Sequence, residues 1–171
     1  GSKYETKDIN GLSHFLEHMC FKGTVNRPKA SDISHELDSL GAQYNAFTSQ
    51  EFTGYYAKAQ AKKLPQLINI IADMYINPVF DENEIQKEKG VIVEEINMYE
   101  DMPHRHVQEV FSRLLYGDQP AGWDIAGTRE NVRAMTRNHF VQYRDKHYVS
   151  KGTIVVVAGK IDEKKVRKLI V

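Results

Sequence analysis

Five residues near the start of the chain, His14-Phe15-Leu16-Glu17-His18, have the types and spacing that a metal site needs. The stretch contains no Gly or Pro, and read as a helix it puts His14 and His18 one turn apart on the same face. Two imidazoles so placed can grip one metal ion. Glu17 falls about 60° around the helix from His14, on the side away from His18, close enough to reach a water on such an ion. The letters are those of H-E-x-x-H in reverse order, and the roles carry over: two histidine ligands, and a glutamate that acts as a base and not as a ligand. A helix with surface histidines is the alternative. What separates the two is a third ligand, because catalytic zinc takes three protein ligands and keeps one position open.

The region that can supply it is FDENEIQKEKGVIVEEINMYED, residues 80–101. Asp81 with Glu84 three residues on reads as a helix N-cap and its capping-box partner. Ile85, Val91 (or Ile92) and Ile96 (or Tyr99) then give an amphipathic helix running towards Met102-Pro103. Glu88 and Glu95 are seven apart, so they share a face two turns from each other, whereas Glu94 is about 120° away from Glu88. This selects Glu95 as the third ligand and Glu88 as a group that orients a ligand or the water. A solvated helix face is the competing reading for either glutamate taken alone. Gly90 costs about 1 kcal/mol relative to Ala inside a helix, and the expectation is that another backbone comes close there.

Other elements must hold these groups. The helix bearing the histidines is expected from Asn10, as cap, to Gly23, with Cys20 turned away from the metal as a small buried side chain, and Phe15, Met19 and Phe21 as core. Pro28 opens a second helix with Ile33, Leu37 and Leu40 on one stripe, Gly41 at its end and His35 on the surface. Residues 42–59 change period: Gln43, Asn45 and Phe47 alternate with Tyr44, Ala46 and Thr48, which predicts a β-hairpin turning around Ser49 to Glu51. Leu64, Leu67, Ile68, Ile71, Met74 and Tyr75 predict a core helix ended by Asn77-Pro78. Pro103 begins another, with Val107, Val110, Phe111 and Leu114 as core; its His104 and His106 lie on opposite faces and cannot share a metal. Trp123 is expected as a buried anchor in the loop from Asp118 to Gly127. Short helices follow from Thr128 and Thr136, then an interior strand over Thr153 to Ala158, then a last helix capped by Asp162 with Val166, Leu169 and Ile170 inward. The predicted class is α+β, with helices packed against a mostly antiparallel sheet.

Bulk properties narrow the function. A chain of 171 residues with 41% hydrophobic content suits one globular domain. Lys+Arg 23 against Asp+Glu 23 leaves no net charge, which argues against a nucleic-acid partner or a membrane surface. The longest apolar runs are far too short to span a bilayer. Cys20 is the only cysteine, so no internal disulfide is required and the fold is compatible with a bacterial cytoplasmic location, though the compartment itself is not given by the sequence.

The residues also carry a resemblance. GLSHFLEHMCFKGT, GAQYNAFTSQEFTGYY and KEKGVIVEEI stand in register with the motifs of the M16 (pitrilysin-type) zinc metallopeptidases, and the whole chain resembles their bacterial members akin to the β subunit of the mitochondrial processing peptidase. The resemblance implies the fold of that peptidase and of the LuxS metallohydrolases, Zn²⁺ held by His14, His18 and Glu95, catalysis by Glu17, and a supporting role for Glu88. It implies peptide substrates bound in extended form by strand addition beside Asn45, Ala46 and Phe47. It further implies that residues 1–171 form one N-terminal peptidase domain, short at both ends. The family's C-terminal half, or a partner subunit in a homo- or heterodimer, supplies an Arg/Tyr pair for substrate. Two other classes remain: a non-catalytic peptide-binding or assembly subunit of the same family, and a small-molecule lyase of the S-ribosylhomocysteine type. The lyase shares H-x-x-E-H but takes its third ligand from Cys, and Cys20 lies only two residues past the motif.

Overall fold

The computed structural model describes residues 1–170. Eight helices and one hairpin follow in the order α1 (Leu12–Met19), α2 (Ala30–Ser39), β1 (Gln43–Thr48), β2 (Thr53–Lys58), α3 (Leu64–Ile76), α4 (Glu82–Glu100), α5 (Pro103–Tyr116), α6 (Arg129–Ala134), α7 (Arg137–His147) and α8 (Glu163–Ile170). The class is α+β, and the sheet is smaller than predicted: β1 and β2 pair antiparallel from Gln43 opposite Lys58 to Thr48 opposite Thr53, and no third strand joins them among the described residues.

Two cores form. The larger surrounds α1, whose Leu12, Phe15, Leu16 and Met19 are buried with Cys20 against Ile85, Ile92, Val93 and Ile96 of α4, Val132 of α6, and Phe140 and Tyr143 of α7. Phe15 meets Phe140 edge-on at 4.8 Å between ring centroids, the favoured geometry for two aromatic quadrupoles. The smaller core joins Ile33 and Leu37 of α2 to Leu67, Ile70 and Met74 of α3, under the inward face of the hairpin. The α4 alternatives resolve to Ile92 and Ile96, with Val91 at the surface. Gly41 takes φ +61° just past α2, where a left-handed residue ends the helix. Asp81, Thr128 and Asp162 all accept from backbone N–H groups at the starts of α4, α6 and α8.

Several expectations fail. The histidine helix is shorter than Asn10 to Gly23, and Asn10 does not cap it: its side-chain amide donates to Glu5 and to the Asp124 carbonyl. Gly90 meets no neighbour within 4 Å of a would-be Cβ, so no backbone crosses there. Trp123 is half-buried and ties to Asp118 through its indole N–H. Helix α5 buries none of its residues: Val107, Val110, Phe111 and Leu114 all face outward. It packs mainly along α4 and ties to the following loop through Arg113 and Asp124, so its apolar stripe points away from both cores. Thr153 to Ala158 makes no ladder, and Ile154, Val155 and Val156 are exposed, because neither hairpin edge reaches them. Only Val166 of the three inward residues expected on α8 is buried.

Candidate metal centre

Helices α1 and α4 cross face to face, and that crossing brings His14, His18 and Glu95 together. One ligand atom from each lies within 4.8 Å of the others. Glu95 Oε2 stands 3.6 Å from Nε2 of His14 and 3.6 Å from Nε2 of His18. Donors about 2.0–2.2 Å from a tetrahedral zinc ion lie about 3.4 Å from one another, so this donor set fits that ion in both type and spacing. Burial, and next the neighbouring His18, push the pKa of His14 down to about 4. Its imidazole is therefore neutral at pH 7, the form that ligates.

Glu88 and Glu17 also fall at this crossing. Glu88 is buried and binds Nδ1 of His18 at 2.9 Å, which leaves Nε2 of that ring facing Glu95. Burial raises the Glu88 pKa, but the hydrogen bonds from His18 and Lys22 outweigh it and the net shift is downward. The Lys22 ammonium lies 2.6 Å from the other Glu88 oxygen. Glu17, 8% exposed, accepts a 2.6 Å hydrogen bond from the Thr48 hydroxyl, so the end of β1 fixes the carboxylate of α1. Burial raises its pKa, with Thr48 and His18 pulling the other way. A carboxylate moved up towards neutrality is suited to taking and returning a proton. Asn45 and Phe47 lie on the exposed face of β1 and Ala46 on the half-buried one. The Ala46 N–H donates to the Asn45 side chain at 2.9 Å.

Sequence reasoning missed three groups. Glu5 is buried and accepts from Gly11 N–H at 2.8 Å, from Ser13 N–H at 2.6 Å and from the Asn10 amide at 3.1 Å. It caps α1 from outside the helix, satisfying N–H groups that a helix leaves orphaned at its start. Gly11 at φ +99° makes this entry possible and lies so close to Gly127 that a Cβ on either would strike backbone. No periodicity marks a lone glutamate six residues ahead of a glycine. Lys22 reads as an ordinary surface lysine. Tyr99, weighed as a core residue, donates its hydroxyl to Oε1 of Glu95 at 2.5 Å.

Comparison with known proteins fits this geometry. The model of the insulinase family (peptidase family M16) matches residues 1–129. The chain belongs to peptidase family M16. An uncharacterised zinc protease of Bacillus subtilis is 43% identical over 163 residues, covering 95% of this chain and 40% of that protein. The human mitochondrial-processing peptidase subunit beta is 38% identical over 161 residues, covering 94% of this chain and 33% of its own length. The crystal structure of a Helicobacter pylori protease superposes with a TM-score of 0.91 at 28% identity, covering 99% of this chain and 41% of that one. The chain thus spans about 40% or less of the M16 relatives that it matches. No helix among the described residues is long and apolar enough to cross a membrane.

Proposed function

We propose that this M16 chain carries the catalytic centre of a zinc metalloendopeptidase acting on peptides bound in extended form. The observation that supports it most is the meeting of His14, His18 and Glu95, with Glu17 beside them, where the buried faces of α1 and α4 cross. His14, His18 and Glu95 would hold the metal. Zinc, when bound, polarises a scissile carbonyl and lowers the pKa of a water from 15.7 to about 7. Glu17 accepts the proton of the attacking water and returns it to the leaving amine, with the Thr48 hydroxyl keeping its carboxylate in place. Glu88 fixes the ring orientation of His18 and is itself held by Lys22.

The free edge of β1 receives the substrate. Among the described residues only one edge of β1 is paired, and adding a peptide strand to the other would supply affinity through the backbone with little demand on sequence. Asn45, Ala46 and Phe47 line that edge, a short distance along the strand from Thr48 and Glu17. Full turnover belongs to an assembly larger than these 171 residues, in which a further half or a partner subunit closes over the peptide.

The test is Glu17→Gln in the full-length protein. Peptide cleavage should fall by at least 10²-fold, the low end of what a positioned acid–base group supplies, while the zinc content stays at one per chain. Unchanged turnover would end the mechanism as written.

A further inference from the structure

We propose that Tyr99 is a positioning residue that restricts Glu95 to one-armed coordination; this rests on the zinc reading above. The two oxygens of Glu95 stand in different surroundings. Oε2 faces both imidazole Nε2 atoms at 3.6 Å, whereas Oε1 accepts the Tyr99 hydroxyl. Tyr99 lies four residues after Glu95 on α4, one turn along the same face, so the contact is set by helix geometry. The ring is held in turn from the next helix: the Arg105 guanidinium of α5 lies 4.1 Å from its centroid, at cation–π distance.

The consequence follows from the two ways a carboxylate can bind a cation. A free carboxylate can present one oxygen or both. If both turned towards the metal, the second would fill the position that a catalytic site must leave open. A hydroxyl donating to Oε1 opposes that rotation without adding charge. The ligands are then treated unequally by their surroundings. His18 has Glu88 behind it and Glu95 has Tyr99, while Nδ1 of His14 is buried with no partner among the described residues. The orientation of Glu95 consequently depends on Tyr99 to an extent that a rigid, fully buttressed triad would not show.

The experiment compares wild type with Tyr99→Phe in the full-length protein. Phenylalanine keeps the ring and its contact with Arg105 and removes only the hydroxyl. Zinc affinity, read by competition with a chromophoric chelator, should weaken about tenfold, as when other groups behind a metal ligand are removed. With Co²⁺ in place of zinc, the visible absorption should lose intensity, because the tetrahedral site gives way to five-coordination. The melting temperature of the metal-free protein should not move. A cobalt spectrum identical to that of wild type overturns the role of Tyr99, even if affinity falls. A wild-type protein that binds neither metal overturns the metal centre itself, and this inference with it.

Discussion

Helices α4 and α5 are consecutive, both amphipathic, and joined by the turn at Asp101 and Met102, yet they meet opposite fates. The apolar stripe of α4 is buried against α1, and its polar face still carries Glu88 and Glu95 inward to the histidines. The apolar stripe of α5 buries nothing, and Leu114 is 83% exposed. Periodicity alone cannot separate them, because it reports that a helix has an apolar side and not that anything lies against it. What distinguishes α4 is chemistry: its inward carboxylates are tolerated because His18, Lys22 and Tyr99 satisfy them. The same contrast separates the hairpin, which is paired and supports Glu17, from Thr153 to Ala158, which has strand composition and no strand partner among the described residues.

The sharpest way to break this comparison is to remove apolar volume from the buried side. Leu16 is fully buried in α1, midway in sequence between His14 and His18. Leu16→Ala should destabilise the protein by about 3 kcal/mol, from lost transfer energy plus the cavity left behind. Urea unfolding measures it. A loss below about 1 kcal/mol would mean that the α1–α4 crossing is looser than the burial of its side chains requires.

A smaller effect comes from the burial of the charged centre. The pKa of His14 is held at about 4 in the metal-free fold against an ordinary value of 6.5. Between those pH values the unfolded chain takes up a proton that the folded chain refuses, so this group makes stability fall as pH drops from 6.5 to 4. The full difference between about 4 and 6.5 caps this contribution at about 3 kcal/mol. Glu5 and Glu17, whose pKa values burial raises, act in the opposite sense, since the folded protein takes their protons first. An NMR titration of the metal-free protein isolates the histidine: His14 should remain neutral down to about pH 4. A midpoint near 6.5 would show a wet, open site.

The legible parts of the molecule are those written in short-range rules. Caps at Asp81, Thr128 and Asp162, the stop at Gly41 and the hairpin all follow from residue types at fixed offsets, and the structure keeps them. The meeting of His14, His18 and Glu95 was legible because i, i+4 and i, i+7 spacings fix which groups share a face, and the resemblance to M16 motifs joined the two faces. Glu5, Tyr99 and Lys22 were not, for a different reason in each case. Glu5 acts across a loop on N–H groups that carry no sequence signature. Tyr99 lies on a stripe where a core residue is the ordinary expectation, and only its hydroxyl separates the two roles. Lys22 becomes informative once Glu88 is known to be buried. Two of the failed expectations, α5 and Thr153 to Ala158, share one cause: composition predicts burial there, and burial is a property of what lies opposite.

The smallest expected effect tests that last point. Leu114→Gln keeps helix propensity nearly constant while removing an exposed apolar side chain. In the 171-residue chain it should change stability by no more than about 0.5 kcal/mol, the usual range for a surface position, whereas Leu16→Ala costs several times more. The two leucines are alike in type and in helical setting and differ only in what they touch, 0% exposed in one case and 83% in the other. A loss of more than about 1 kcal/mol for Leu114→Gln would place this side chain against a neighbour in solution, and the contrast between α4 and α5 would then lie in how far each stripe is covered and not in whether it is.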